Sequence, residues 1–247
     1  MANTLTPKSI PFLSEEALRE GIVLAINKPL GWTSFDVVNK VRWTIRKRLG
    51  VKKFKVGHAG TLDPLATGVL VLCVGKATKT IESWMATSKA YSGIIRFGAT
   101  TPSFDLETAI DRTYAIPELS KENISQLIQE FTGELQQRPP RHSAIQVNGQ
   151  RAYKQARKGE VFELAPRPIE IQNLALKPHD VDCLAFLLTC SKGTYIRSLA
   201  RDMGVSLANG AHLIQLTRTS VGEVQLEDCF EIENCIAMLE RNNTLAS

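Results

Sequence analysis

A chain of 247 residues with 43% hydrophobic and 22% charged content can bury a full core as one large domain, or as one domain carrying an insertion. No apolar run approaches the ~20 residues that span a bilayer, and the first twenty residues lack the apolar stretch of a secretory signal, so a cytoplasmic protein without a membrane partner is expected. The net charge of +5 permits a polyanionic partner without requiring one.

In chain order, the stretch to about Leu13 reads as loosely ordered. Ser14-Glu15-Glu16 starts a short helix that Gly21 stops, and Gly21–Ile26 follows as a strand. Asn27–Ser34 is a turn into a second helix: Ser34 offers an N-cap, Val37, Val38, Val41, Ile45 and Leu49 fall near helical spacing, and Gly50 ends it. Lys40, Arg42, Arg46, Lys47, Arg48, Lys52, Lys53 and Lys55 follow one another with no acidic residue among them. Such a run is a solvated face about as often as a binding surface. Its position just before the next segment favours a patch that tracks phosphates.

That segment, Gly57–Gly68, holds three glycines and a proline in twelve residues, which forbids a long helix or a central strand. It is a shaped loop presenting His58 and Asp63, anchored on the apolar strand Val69–Val74. Taken alone, Asp63-Pro64 more often marks a helix start, and a single loop histidine is more often just hydrogen-bonded.

Further on, Tyr91–Phe97 reads as a strand, and Ser120 caps a helix with Ile124, Leu127, Ile128 and Phe131 on one face, closed by Gly133. Gln136–Ile145 is proline-broken and basic, and Arg151–Gly159 reads as a short surface helix. Leu184–Cys190 is a strand, Ser191-Lys192-Gly193 a hairpin turn, Thr194–Ile196 its return, and Arg197–Met203 a helix. On a returning strand Tyr195 and Arg197 would share a face. Val221–Leu226 is the last strand and Glu231–Leu239 the last helix. Helices and strands intermix without a βα period, so the fold class is α+β with a mixed sheet. The cysteines Cys73, Cys183, Cys190, Cys229 and Cys235 form no C-x-x-C pair and the four histidines are scattered, so neither a disulfide frame nor a metal site is expected.

The string GHAGTLDPLATG, Gly57–Gly68, closely resembles the catalytic loop of the TruB family of tRNA pseudouridine synthases, whose Asp is the essential carboxylate. Asn27–Ser34 matches that family's K-P-x-G-x-T-S motif upstream, and Cys190–Leu199, CSKGTYIRSL, resembles the motif whose Tyr packs beside the target base and whose Arg pairs with the catalytic Asp. The resemblance therefore implies Asp63 as catalytic and His58, Tyr91, Tyr195, Arg197 and Leu216 as substrate-binding: Tyr91 stacking on the base, Leu216 lining the uracil pocket, His58 filling space near the flipped nucleotide. Lys28, Arg46, Lys47, Arg48, Lys52, Lys53, Arg141, Arg151 and Arg157 are expected along the RNA backbone. The segment Pro139–Ala144 resembles the family's P-P-x-x-S-A stretch, within a thumb-like insertion at about 134–160. Thr217 stands where the family usually has a second Arg, and Ala99–Asp105 is an imperfect copy of its threonine- and aspartate-rich segment.

The implied fold is a pseudouridine synthase catalytic domain over 21–247 after an N-terminal extension 1–20, with a mixed, largely antiparallel central sheet flanked by helices. About 25 residues follow Gly222, too few for the PUA RNA-binding domain common in the family, so binding is expected to rest on the catalytic domain, its insertion and the basic run. The implied reaction isomerises uridine at position 55 in the tRNA T loop, which must be flipped out to be reached. Uridine loses its N1–C1′ bond, rotates and rejoins through C5; nothing is oxidised and no outside group is transferred, so no cofactor is expected. An ionised carboxylate is needed, as nucleophile or as base. Rival readings are a non-catalytic tRNA-binding or folding factor, a guide-directed enzyme within a ribonucleoprotein, and a carboxylate hydrolase, which would want a second acid near Asp63. A monomer with no obligate protein partner is expected.

Overall fold

The computed structural model of the chain describes residues 4–5, 13–143, 146–147, 150–152, 155, 162 and 164–241. The chain forms two compact units, Met1–Ala90 with Thr217–Ser247, and Tyr91–Leu216. The fold is α+β.

In the first unit the strands Ile22–Lys28 and Ala66–Val74 pair antiparallel, with Ile22 opposite Val74 and Lys28 opposite Gly68. Both are almost wholly apolar because both of their faces are covered. Val23, Ala25, Val69, Val71 and Cys73 pack with Ala59, Trp84 and Val221, while the alternate residues Leu24, Ile26, Leu70 and Leu72 are also fully buried. Thr4–Leu5 and Phe230–Glu231 each pair parallel with the Ile22–Lys28 strand, and Val56–His58 pairs antiparallel with residues 72–74, so the sheet is mixed. Thr4 and Leu5 are thus tied into the sheet; residues 1–3 and 6–12 of the expected loose stretch lie outside the described residues.

The helix Glu15–Glu20 starts where Ser14 Oγ accepts the Ala17 amide and stops at Gly21. The basic helix spans Ser34–Leu49 and ends on a left-handed Gly50. Its N-cap is Thr33, not Ser34: Thr33 Oγ1 accepts the Asp36 amide while the Asp36 carboxylate accepts the Thr33 amide, a reciprocal pair completed by an acceptor side chain three residues on. That frees Ser34 to point inward.

In the second unit the strand order is Ala211–Val221 (through residue 216), Lys89–Phe97 (from residue 91), Cys183–Cys190, Arg167–Asp180, Gly133–Gln137. Arg167–Asp180 pairs antiparallel with both of its neighbours. Ser120 caps the helix Lys121–Glu130 as expected, but Gly133 opens the next strand instead of closing that helix. Residues 134–137 therefore belong to the sheet rather than to an insertion. Beyond them Gln146–Val147 and Gln150–Arg151 pair antiparallel, and most of the expected surface helix Arg151–Gly159 lies outside the described residues.

Two expectations fail near the C-terminus. Thr194–Ile196 is not a returning strand: after the turn at Lys192-Gly193 the chain enters the helix Ile196–Ser206 with Tyr195 as N-cap. Tyr195 and Arg197 consequently do not share a strand face, because the helix-forming run that follows claims Ile196. The last long strand is Ala211–Val221, which turns at a left-handed Gly222 into Val224–Gln225. The five cysteines are buried thiols. No helix among the described residues is long and apolar enough to cross a membrane.

Gly68 has φ of 103°, and a Cβ there would lie 2.2 Å from the Arg218 carbonyl oxygen. Gly68→Ala is expected to cost about 2–4 kcal/mol in urea unfolding, from the left-handed backbone and the steric clash together. A loss below about 0.5 kcal/mol would contradict this packing.

Candidate active site

Residues 59–65 join the Val56–His58 strand to the Ala66–Val74 strand. The backbone supplies this loop with few hydrogen bonds, among them Ala59 N to Val71 O at 2.9 Å and Ala66 N to Asp63 O at 3.1 Å. Asp63-Pro64 is therefore the start of a turn and not of a helix. The remaining buried carbonyls need donors from elsewhere.

Three buried side chains supply them. Ser34 Oγ accepts the Leu62 amide at 2.8 Å and donates to the Leu62 carbonyl at 3.0 Å. Arg218, 1% exposed, donates from Nε to Val69 O at 2.7 Å, from Nη2 to Gly60 O at 3.2 Å and from Nη1 to Thr61 O at 3.4 Å. Lys28 Nζ donates to Trp32 O at 2.6 Å, Pro29 O at 2.8 Å and Pro64 O at 3.4 Å, and the Gly31 amide adds a bond to Pro64 O at 2.8 Å. Half-buried Asp63 is thus fixed between two residues, Leu62 and Pro64, whose carbonyls are both held. The Thr67 and Thr217 hydroxyls meet at 2.9 Å beside the same loop.

Lys28 was expected on the RNA backbone, and its position corrects that. It is completely buried, so its ammonium cannot reach a phosphate. Burial pushes its pKa down to about 8, the Asp63 carboxylate pulls it back up, and Arg218 pushes it down again. At neutral pH it is a buried ammonium facing three carbonyls and attracted to Asp63. His58 is half-buried at the end of its strand, and its Nδ1 has no hydrogen-bond partner among the described residues. Burial and then Arg218 push its pKa down, with the Gly60 backbone opposing, so the imidazole is neutral at pH 7.

The second unit carries Tyr91, Tyr195, Arg197 and Leu216. Arg197 is buried, with Nε 3.6 Å from Asp105 Oδ2, Nη1 donating to Ser103 O at 3.0 Å and Nη2 to His142 O at 2.9 Å. Gln137 brackets the Tyr195 backbone, its Oε1 accepting the amide at 2.8 Å and its Nε2 donating to the carbonyl at 3.1 Å. Tyr91 and Leu216 are buried on neighbouring strands of that unit.

Of the expected RNA-facing cations, Arg46, Lys47, Lys52, Lys53 and Arg141 are exposed. Arg48 is half-buried and donates to Leu239 O at 3.1 Å and to Leu13 O, which ties the basic helix to the C-terminal helix and leaves its guanidinium committed within the fold. The Arg151 side chain and all of Arg157 lie outside the described residues. Sequence reading missed Ser34, Arg218, Asp105 and Gln137 as site-shaping residues. Arg218 stands among Thr217, Thr219 and Ser220 in the strand Ala211–Val221, where an arginine is ordinarily exposed, so the local sequence carries no signal of its burial.

Residues 46–196 match the family described as TruB family pseudouridylate synthase (N terminal domain). The chain is 52% identical over 216 residues to a tRNA pseudouridine synthase B of Phocaeicola vulgatus, covering 87% of this chain and 92% of that protein. It is 44% identical over 221 residues to the synthase of the same name from Flavobacterium johnsoniae, covering 89% and 96%. Among solved structures it superposes on a chain of a Cbf5–Nop10–Gar1 complex with a TM-score of 0.65 at 27% identity, over 96% of this chain. It spans about 60% of the length of that chain.

The Lys28 amine carries a pH signature. Unfolded, it stays protonated up to about pH 10.5; folded, only up to about 8. Between those values the unfolded chain binds the extra proton, so stability rises with pH there, and below pH 8 the term is flat. The stability of wild type relative to Lys28→Met is expected to rise by up to about 3 kcal/mol between pH 8 and pH 10.5. A difference independent of pH would contradict a buried amine.

Proposed function

The chain belongs to the TruB family of pseudouridylate synthases, and from that premise we propose that it is a stand-alone, cytoplasmic, monomeric tRNA pseudouridine synthase converting uridine 55 of the T loop to pseudouridine. The observation that carries the reading is Asp63 on a loop whose carbonyls are held by two buried cations and a buried serine. A reacting carboxylate gains rate from fixed geometry, and a clamped backbone on both sides of one supplies it.

The chemistry is an exchange of one bond for another. The N1–C1′ bond breaks, the uracil turns, C5 bonds to C1′, the proton on C5 leaves to a base, and N1 takes up a proton. Asp63 attacks covalently or removes a proton from the ribose; either route uses its ionised form. The Lys28 ammonium and the Asp63 carboxylate attract one another. The resemblance gives Tyr91 the stacking role, worth roughly 1–3 kcal/mol per base, and gives Tyr195 and Leu216 the walls of the uracil pocket. It gives Arg197 the role of counter-ion to Asp63; the Asp105 carboxylate and two carbonyls hold that guanidinium rigid. A neutral, half-buried His58 suits packing beside a flipped nucleotide. Arg46, Lys47, Lys52, Lys53 and Arg141 are proposed along the phosphates, with Arg151, Arg157 and the remainder of the thumb-like segment, and 21–247 as one catalytic domain.

The test is tritium release from C5-labelled uridine in a T-arm stem-loop, with no added cofactor. Wild type is expected to release tritium, and Asp63→Asn to release it at least about 10³-fold more slowly while RNA affinity stays within a few-fold. Residual turnover near the wild-type rate would remove Asp63 from the mechanism. Tight binding without release by wild type would point to a tRNA-folding factor instead.

A further inference from the structure

The outward face of the Ser34–Leu49 helix carries two large aromatic residues that the core does not use. Phe35 is 59% exposed and Trp43 52% exposed, while Val37, Val38, Val41, Thr44 and Ile45 complete the buried stripe behind them. Leaving a tryptophan half in water forgoes burial that a shorter polar residue would not need. Its neighbours are cations. Lys40 Nζ lies 5.9 Å and Lys47 Nζ 5.2 Å from the centre of a Trp43 ring, and Arg42 lies 5.9 Å from the Phe35 ring. The one carboxylate on the helix, Asp36, is engaged at the cap with Thr33. Aromatic surface interleaved with positive charge fits an unpaired nucleic-acid strand, whose bases stack while its phosphates meet the ammonium groups. A protein partner fits less well, since lysines are depleted from the cores of such interfaces.

The same helix starts at the Asp63 loop, where Ser34 holds Leu62. Trp43 stands nine residues along it, about 13 Å at the rise of an α-helix, too far to serve the base that Asp63 attacks. Exposed Leu30 and Leu65 flank the helix start, joined through the Gly31–Pro64 hydrogen bond. We propose that Trp43, rimmed by Lys40 and Lys47, is a stacking platform for a second unpaired base of the bound tRNA, distinct from the target uridine. The inference rests on the reading of this chain as a tRNA-modifying enzyme.

The experiment is equilibrium binding of tRNA across a salt series to wild type, Trp43→Ala, Trp43→Phe and the double variant Lys40→Gln/Lys47→Gln, with thermal melts of each. Stacking predicts that Trp43→Ala weakens binding about 5-fold or more at every salt concentration, without changing the slope of log Kd against log salt. Trp43→Phe should stay within about threefold of wild type, and the lysine pair should lower the slope by about 0.7–0.9 per residue. Wild-type affinity in Trp43→Ala would overturn the proposal. So would a loss as large in Trp43→Phe, or a loss matched by a fall in melting temperature. Tritium release separates the two readings: if wild type turns over but Trp43→Ala binds normally, only the platform fails. If wild type binds through Trp43 without turnover, the catalytic reading fails and the platform stands.

Discussion

Everything at the candidate site depends on how one loop satisfies its backbone. Residues 59–65 leave the sheet, so their carbonyls have no ladder to pair with, and burial without donors would cost roughly 1–3 kcal/mol for each group. Ser34, Lys28 and Arg218 answer that cost at Leu62, Pro64, Gly60 and Thr61. The donors come from a helix N-terminus, a strand end and a distant strand, so the loop closes only when all three elements are in place. Placing Asp63 is a consequence of folding the first unit.

The choice of donors also has an electrostatic effect. Two of the three are cations whose hydrogen bonds go to backbone carbonyls. Lys28 and Asp63 attract one another across the loop. In the second unit Arg197 is treated differently, with Asp105 beside it. One arginine acts as a scaffold for backbone, and the other is a paired charge whose orientation the fold fixes.

How much of this the sequence discloses follows from what each residue type can reveal alone. The strands Ile22–Lys28 and Ala66–Val74 were legible as apolar runs, and the helices near Ser14 and Ser120 as caps followed by periodic apolar residues. Thr33 displaced Ser34 as N-cap because the deciding feature was a reciprocal bond from Asp36, not cap preference. Tyr195 was read onto a strand because a glycine turn after a strand suggests a hairpin, whereas the next residues favour helix. Lys28 looked like an RNA contact because a lysine near a site is ordinarily exposed; only the fold shows three carbonyls converging on it. Arg218 and Gln137 act on backbone atoms distant in sequence, and no local pattern announces that.

The central claim is that the Arg218 fork, by holding Gly60 and Thr61, sets the position from which Asp63 reacts. The most direct measurement is the single-turnover rate of pseudouridine formation in tRNA for Arg218→Lys, which keeps the charge and loses the fork. The account predicts a rate about 10²-fold below wild type with tRNA affinity retained, as expected when a reacting group is misplaced by about an ångström. A folded Arg218→Lys protein turning over at the wild-type rate would contradict it.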